Sequence, residues 1–182
     1  MALFGIQPCS LEEKQLNTQY KTTVFLHTKL ERIRGCSIEM LRDVISTLNC
    51  LKKLGVKIEH SNNTYIVEGL GISGFKVPDE YIDLGNSGTG IRLLLGAIMG
   101  SNIIVNFKGD YSLSKRPMGR VLTPLKMMGA KIISSNNEKL PITIKGPKEV
   151  FPINYSSKIS SAQIKSSILL SGKYQLIPPS SV

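Results

Sequence analysis

A segment of this chain is written twice. Gly55 and Gly129 stand 74 residues apart, and each closes a stretch with apolar residues at helical spacing. Val44, Leu48, Leu51 and Leu54 precede the first glycine; Val121, Leu122, Leu125 and Met128 precede the second. Apolar residues three and four apart predict amphipathic helices starting at Asp43 and spanning 120–128. A glycine after the last apolar residue is the usual left-handed stop, and Lys52 and Lys53 suit the negative end of the first helix dipole. Val56-Lys57-Ile58-Glu59 then matches Ala130-Lys131-Ile132-Ile133 as a strand, and Asn62-Asn63 matches Asn136-Asn137 as a hairpin turn at the same offset. Return strands follow over 64–67 and 140–144, ending at Gly69 and Gly146. A further helix closes each copy, over 91–99 and 162–170, with Ile91-Arg92 and Ile164-Lys165 73 residues apart.

A repeat this long is not a solenoid of short units. It predicts two similar α/β units packed together, each burying its helices on its own sheet, an α/β (α+β) class. A strand is expected over 103–107, and an extended piece before Asn86. Pro124 would cost a helix interior about 3 kcal/mol, so an irregular first turn is expected around Thr123. Residues 1–35 carry no motif: 7–20 are polar and 22–27 form a short β-like run.

Of the 182 residues, 41% are hydrophobic, enough for a core, and with no tryptophan that core is aliphatic. No run of eighteen apolar residues suggests a membrane span. Cys9, Cys36 and Cys50 lack metal-binding spacing and read as reduced thiols of a cytoplasmic protein, each a small buried hydrophobe. His27 and His60 are isolated, so no metal site is expected. A net charge of +10 raises nucleic acid as a partner, but the lysines are scattered with no basic block or aromatic interleaving. A solvated lysine-rich face is the preferred reading, and a basic cleft for small anions would use some of the same charge.

Three polar stretches fall at the edges of the repeats. Leu84-Gly-Asn-Ser-Gly-Thr-Gly-Ile-Arg92 reads as a glycine-rich turn before a helix. Glycines let an anion approach the backbone amides, whose unpaired N–H groups and dipole favour negative charge. Asn86, Ser87 and Thr89 add donors and Arg92 a fixed charge. The plainer reading is a turn capped by Ser87 or Thr89. In Ser114-Lys-Arg-Pro-Met-Gly-Arg120, a proline holds the backbone beside Arg116, whose guanidinium suits forked contact with phosphate or carboxylate; the alternative is an exposed basic loop. Ser160-Ser-Ala-Gln163 opens the last helix, where the serines either cap it or also hold a ligand.

Together these stretches resemble the EPSP synthase family (3-phosphoshikimate 1-carboxyvinyltransferase). The resemblance runs through Leu84–Arg92, through Lys115-Arg-Pro-Met-Gly-Arg-Val-Leu-Thr-Pro-Leu-Lys-Met-Met-Gly-Ala-Lys131, and through Ser161-Ala-Gln-Ile-Lys-Ser-Ser-Ile-Leu-Leu170. The Leu-Gly-Val-Lys end of the early helix also fits. The Arg-Pro-Met-Gly-Arg wording, and Pro124, match the bacterial branch. The likeness covers roughly residues 36 to 173.

The resemblance implies a fold of repeated βαβαββ units and a reaction without metal or organic cofactor. An enolpyruvyl group moves from phosphoenolpyruvate to the 5-hydroxyl of shikimate 3-phosphate, releasing phosphate. It places Asn86, Gly88, Thr89, Arg116 and Gln163 against phosphoenolpyruvate. Ser161, Ala162 and Gln163 fall against shikimate 3-phosphate. Glyphosate competes with phosphoenolpyruvate in the family, and a methyl at Gly88 should crowd it.

On this reading, 1–35 is a divergent N-terminal segment and 36–173 a partial first domain, with units at about 36–109 and 110–173. Residues 174–182 are a truncated tail. The family's Lys-Ser-x-Ser-x-Arg motif is not found upstream of residue 36. A third repeat and the second domain, with its acid/base residues, are also not found. Little or no synthase activity is therefore expected of this polypeptide alone, a separate chain being one possible source of the missing half. UDP-N-acetylglucosamine enolpyruvyl transferase shares the architecture but places a cysteine before its Arg-Pro, and 111–115 contains none. An RNA-binding module or an inert fragment of the same fold are the remaining alternatives.

Overall fold

The computed structural model describes residues 31–34, 42–61, 64–71, 74–156 and 161–172. The expected turn at Asn62-Asn63, the run over 22–27, Cys9, Cys36, His27, Ser160 and the tail lie outside them.

In chain order the elements are β1 (Glu31–Arg34), α1 (Arg42–Lys53), β2 (Lys57–Ser61), β3 (Thr64–Glu68), β4 (Ile82–Asp83) and α2 (Gly88–Ala97). There follow β5 (Ile104–Lys108), α3 (Tyr111–Lys115), α4 (Gly119–Met127), β6 (Lys131–Asn136), β7 (Lys139–Lys145) and α5 (Ala162–Gly172). One sheet has the order β1-β3-β2, antiparallel throughout. The other has the order β4-β5-β7-β6, in which β4 and β5 are parallel and the remaining pairs antiparallel.

The second sheet and its helices run β4-α2-β5-α4-β6-β7, a βαβαββ unit with the short α3 added before α4. The first sheet repeats its later part: β1, α1, β2 and β3 stand where β5, α4, β6 and β7 stand. The glycine stops adopt the conformation that the repeat required, with φ of 95° at Gly55 and 104° at Gly129. Both sit where a side chain would be strained.

Several boundaries differ from the sequence reading. The sheets group the repeat in another phase: β4 and β5 join β6 and β7 across the division drawn at 109/110. A period alone carries no phase; strand hydrogen bonding chooses one. The first sheet likewise begins at Glu31, paired with Val67, four residues before the segment boundary. The second hairpin turns on Asn137 and Glu138, whose φ values of 49° and 58° match a two-residue primed turn. That is one residue later than expected. Helix α4 runs through Pro124 with no break around Thr123, whose hydroxyl donates to the Gly119 carbonyl at 2.8 Å. Helix α2 starts at Gly88 rather than Ile91, so two of the three glycines of the expected turn belong to its first turn.

One apolar core joins the units. Leu51, Leu54 and Val67 of the first meet Phe107, Leu122 and Ile142 of the second in a continuous buried cluster. Helix α2 runs through it, buried on nearly every side, as a helix apolar all round must be. Helix α5 lies directly on α2. A Cβ at Gly96 would collide with the backbone of Ser167, and the Ser171 hydroxyl donates to the Gly96 carbonyl at 3.2 Å. Only a residue without a side chain lets the two backbones come this close.

Candidate functional site

Parallel strands β4 and β5 deliver their following loops to the same edge of the sheet, where ligands gather in open α/β sheets. The loop after β4 holds Asn86 to Thr89. The segment after β5 leads through α3 to Arg116. The loops are tied together: the Asp110 amide donates to the Gly85 carbonyl at 2.8 Å, and the Leu84 amide to the Lys108 carbonyl at 3.0 Å.

Ser87 is buried and its hydroxyl accepts from the Gly90 amide, so of the two caps offered by the plainer reading, Ser87 and Thr89, it is Ser87 that caps α2. The N–H groups of Gly88 and Thr89, first in the helix, have no intrahelical acceptor by geometry. Within this buried helix the two residues left partly open are Thr89 and Arg92, three apart on one face. The opening is thus polar and cationic, at the positive end of the helix dipole.

Helix α3 is capped by Asp110, whose carboxylate accepts from the Leu113 amide at 2.7 Å. Arg116 ends that helix in an extended conformation, the one favoured before a proline. Its Nη2 donates to Asn86 Oδ1 at 2.8 Å. A Cβ built on Gly88 would lie 2.7 Å from Arg116 Nη1 and 3.3 Å from Arg92 Nη1. Both guanidinium groups therefore press against the backbone at the start of α2. The far side of the Arg116 loop is held by the second hairpin, because the Met118 amide donates to the Glu138 carbonyl at 2.9 Å.

Gln163 reaches this cluster from α5. Its Oε1 accepts from Arg92 Nη1 at 2.6 Å, and its Nε2 donates to Thr89 Oγ1 at 2.9 Å. Arg92 Nη1 also donates to the Gly88 carbonyl at 3.2 Å. Ser161 and Ala162 stand at the N-terminus of α5, immediately before Gln163, and the Ser161 carbonyl accepts the Lys165 amide. Asn86, Gly88, Thr89, Arg116 and Gln163 are thus joined in one connected group, with Ser161 and Ala162 at its margin.

Burial lowers the pKa of Arg92, and the charges of Arg116 and Arg120 add to the effect. Like charges are gathered here without compensation: the ion pairs among the described residues all use lysines. Among the described residues no carboxylate is paired with these guanidinium groups, which lie beside the first amides of α2; helix N-termini and guanidinium groups are the features that bind anions in proteins generally. Arg92 is the residue that sequence reasoning undervalued. It read as one charge among several, yet it is the hub joining the two repeats. Its signal was its place one helical turn after Gly88.

The fold and site define a repeated α/β protein with arginines gathered at the start of a buried helix. A sequence profile of EPSP synthase (3-phosphoshikimate 1-carboxyvinyltransferase) matches residues 31–175, and the chain belongs to that family. The 3-phosphoshikimate 1-carboxyvinyltransferase of Afipia carboxidovorans is 45% identical over 131 residues, covering 71% of this chain and 30% of the relative. That of Ruthia magnifica is 48% identical over 132 residues, covering 72% and 30%. The structure of EPSP synthase from Acinetobacter baumannii superposes with a TM-score of 0.78 at 33% identity, over 87% of this chain and 36% of that one. The chain therefore spans about 30% of the length of these curated relatives.

Proposed function

We propose that this chain supplies the first-domain face of an enolpyruvyl-transfer site. The observation that carries this reading is the meeting of Gly88, Arg116 and Gln163, from three separated segments, around Arg92. Asn86, Gly88, Thr89, Arg116 and Gln163 receive phosphoenolpyruvate. Ser161, Ala162 and Gln163 receive shikimate 3-phosphate, so Gln163 lies between the two ligands. Both substrates are anions and repel; fixed guanidinium groups and helix amides offset that repulsion and hold the reacting groups close. The reaction is transfer of the enolpyruvyl group to the 5-hydroxyl of shikimate 3-phosphate with release of phosphate, a step of aromatic amino acid biosynthesis in the cytoplasm.

No helix among the described residues is long and apolar enough to cross a membrane. The partners on this reading are the two small anions, with a separate chain as a source of the rest of the site.

Titration calorimetry of the 182-residue polypeptide with shikimate 3-phosphate tests the reading. Saturable heat that is lost in Gln163→Ala and Ser161→Ala supports it. A cooperatively melting protein that gives no heat refutes binding by this face.

A further inference from the structure

We propose that Arg92 is a positioning residue: it fixes the orientation of the Gln163 amide across the junction of the repeats, and through it presents the Thr89 hydroxyl as a donor. The geometry stands on its own. The consequence for ligands rests on the anion-site reading above.

A guanidinium has donors and no acceptor. Arg92 Nη1 meets Gln163 at 2.6 Å, a short charge-assisted contact. The atom facing it must therefore be the amide oxygen. A flipped amide would set NH₂ against N–H, donor against donor. The amide nitrogen is then turned to Thr89, where it donates to Oγ1 at 2.9 Å. Because Thr89 Oγ1 accepts from Gln163, its own hydrogen is directed elsewhere. The chain of hydrogen bonds has one direction, from Arg92 to Gln163 to Thr89, and it ends on a hydroxyl hydrogen with no acceptor among the described residues, at the start of α2. A chain that begins on an obligate donor and ends on a hydroxyl hydrogen is satisfied by an acceptor, and an anion's oxygen is one.

Nothing local to either helix sets this polarity. Arg92 is tied to α2 by its bond to the Gly88 carbonyl at 3.2 Å, while Gln163 comes from α5. The close crossing at Gly96 and Ser167 brings them together.

The test uses the ligand-free 182-residue polypeptide and the side-chain amide of Gln163 in ¹⁵N–¹H spectra, assigned by its loss in Gln163→Met. In the wild type, the pair should be displaced from the ordinary glutamine position and protected from solvent exchange. In Arg92→Met it should fall back to the ordinary position. An unmoved, still-protected amide in a folded Arg92→Met protein overturns the proposal. If Arg92→Met does not fold, Thr89→Val decides. It removes the acceptor while keeping the shape, and should abolish amide protection; unchanged protection overturns the proposal equally.

A second arm reads the coupling with shikimate 3-phosphate. Arg92→Met and Gln163→Met should each weaken binding about tenfold, and the double variant no further. An additive loss of about a hundredfold would mean that Arg92 holds the anion by itself, which also overturns the proposal. Failure of the wild type to bind shikimate 3-phosphate counts against the proposed function alone, because the amide measurement needs no ligand.

Discussion

Thr89 and Gln163 come from the first turns of α2 and α5, and their side chains meet in a 2.9 Å hydrogen bond. The closing helices of the two copies thus face each other at their N-termini, one position out of the repeat's own alignment. At the offset of 73 their counterparts are Ala162 and Gly90, so neither copy repeats the pair. The repeat builds the frame, and the divergence between its copies builds the site.

Gly88→Ala should separate binding from stability. The added methyl lies 2.7 Å from Arg116 Nη1, at the end of a flexible side chain. The guanidinium gives way, the fold does not, and the bond from Arg116 to Asn86 is lost. Urea denaturation should change by less than about 1 kcal/mol. Affinity for phosphoenolpyruvate should fall about tenfold, or about 1.4 kcal/mol. Unchanged affinity would remove Arg116 from the proposed site.

Gly96→Ala should do the opposite and unsettle the fold. Helix propensity alone would favour alanine by about 1 kcal/mol. Against that, the new Cβ meets the carbonyl of Ser167, a backbone atom that moves only if α5 moves. Overpacking of this kind costs about 1–3 kcal/mol and more where backbone must shift. The variant should therefore be destabilised by about 2 kcal/mol in urea, and a stabilised protein would show that α5 does not pack as described.

Asp110→Ala tests the support of Arg116. Loss of an N-cap costs about 1 kcal/mol, and α3 has only five residues over which to absorb it. Because the Arg116 amide donates to the Leu113 carbonyl at 3.0 Å, fraying of α3 releases the arginine. Affinity for phosphoenolpyruvate should fall in Asp110→Ala and be largely kept in Asp110→Asn, which retains a capping oxygen. Equal affinities in the two variants would sever this link.

Cys50 gives a pH prediction. Burial, and secondly the charge of Asp83, push its thiol from 9.0 up to about 12, and Sγ–H lies 3.4 Å from the Asp83 carbonyl. Below pH 9 the thiol is protonated both folded and unfolded, and it adds no pH dependence. Between 9 and about 12 the unfolded chain loses the proton first, so stability falls as pH rises through that window. Cys50→Ala should flatten this part of the stability profile. At pH 8 an alkylating reagent, followed by peptide mass mapping, should leave Cys50 unmodified until the protein is unfolded; rapid native labelling would contradict its burial.

Much of the frame was legible because it is local. Apolar spacing around Leu48, Leu51 and Leu54 fixed the early helix, and Gly55 and Gly129 fixed the stops. A hydroxyl cap, Ser87 or Thr89, followed from its place before an apolar run, and the structure selects Ser87. The start of α2 was misplaced because Gly88 and Gly90 are poor helix formers. They are tolerated where a guanidinium and a neighbouring helix leave no room for side chains. Pro124 was misjudged for a related reason: a propensity counts the lost amide but not the burial that offsets it in α4.

What the order of residues determined by itself is most of the content of the repeat: its helices and hairpins, their glycine stops, and the residue types at the polar turns. What only the tertiary structure decided is the phase of that repeat in the sheets and the meeting of Arg92, Thr89 and Gln163. Caps and periodicity arise from neighbours within a turn or two, so they are written in short windows. The packing of α2 on α5 depends on shape at Gly96 and Ser167, residues 71 positions apart, and no local preference encodes a distance between helices.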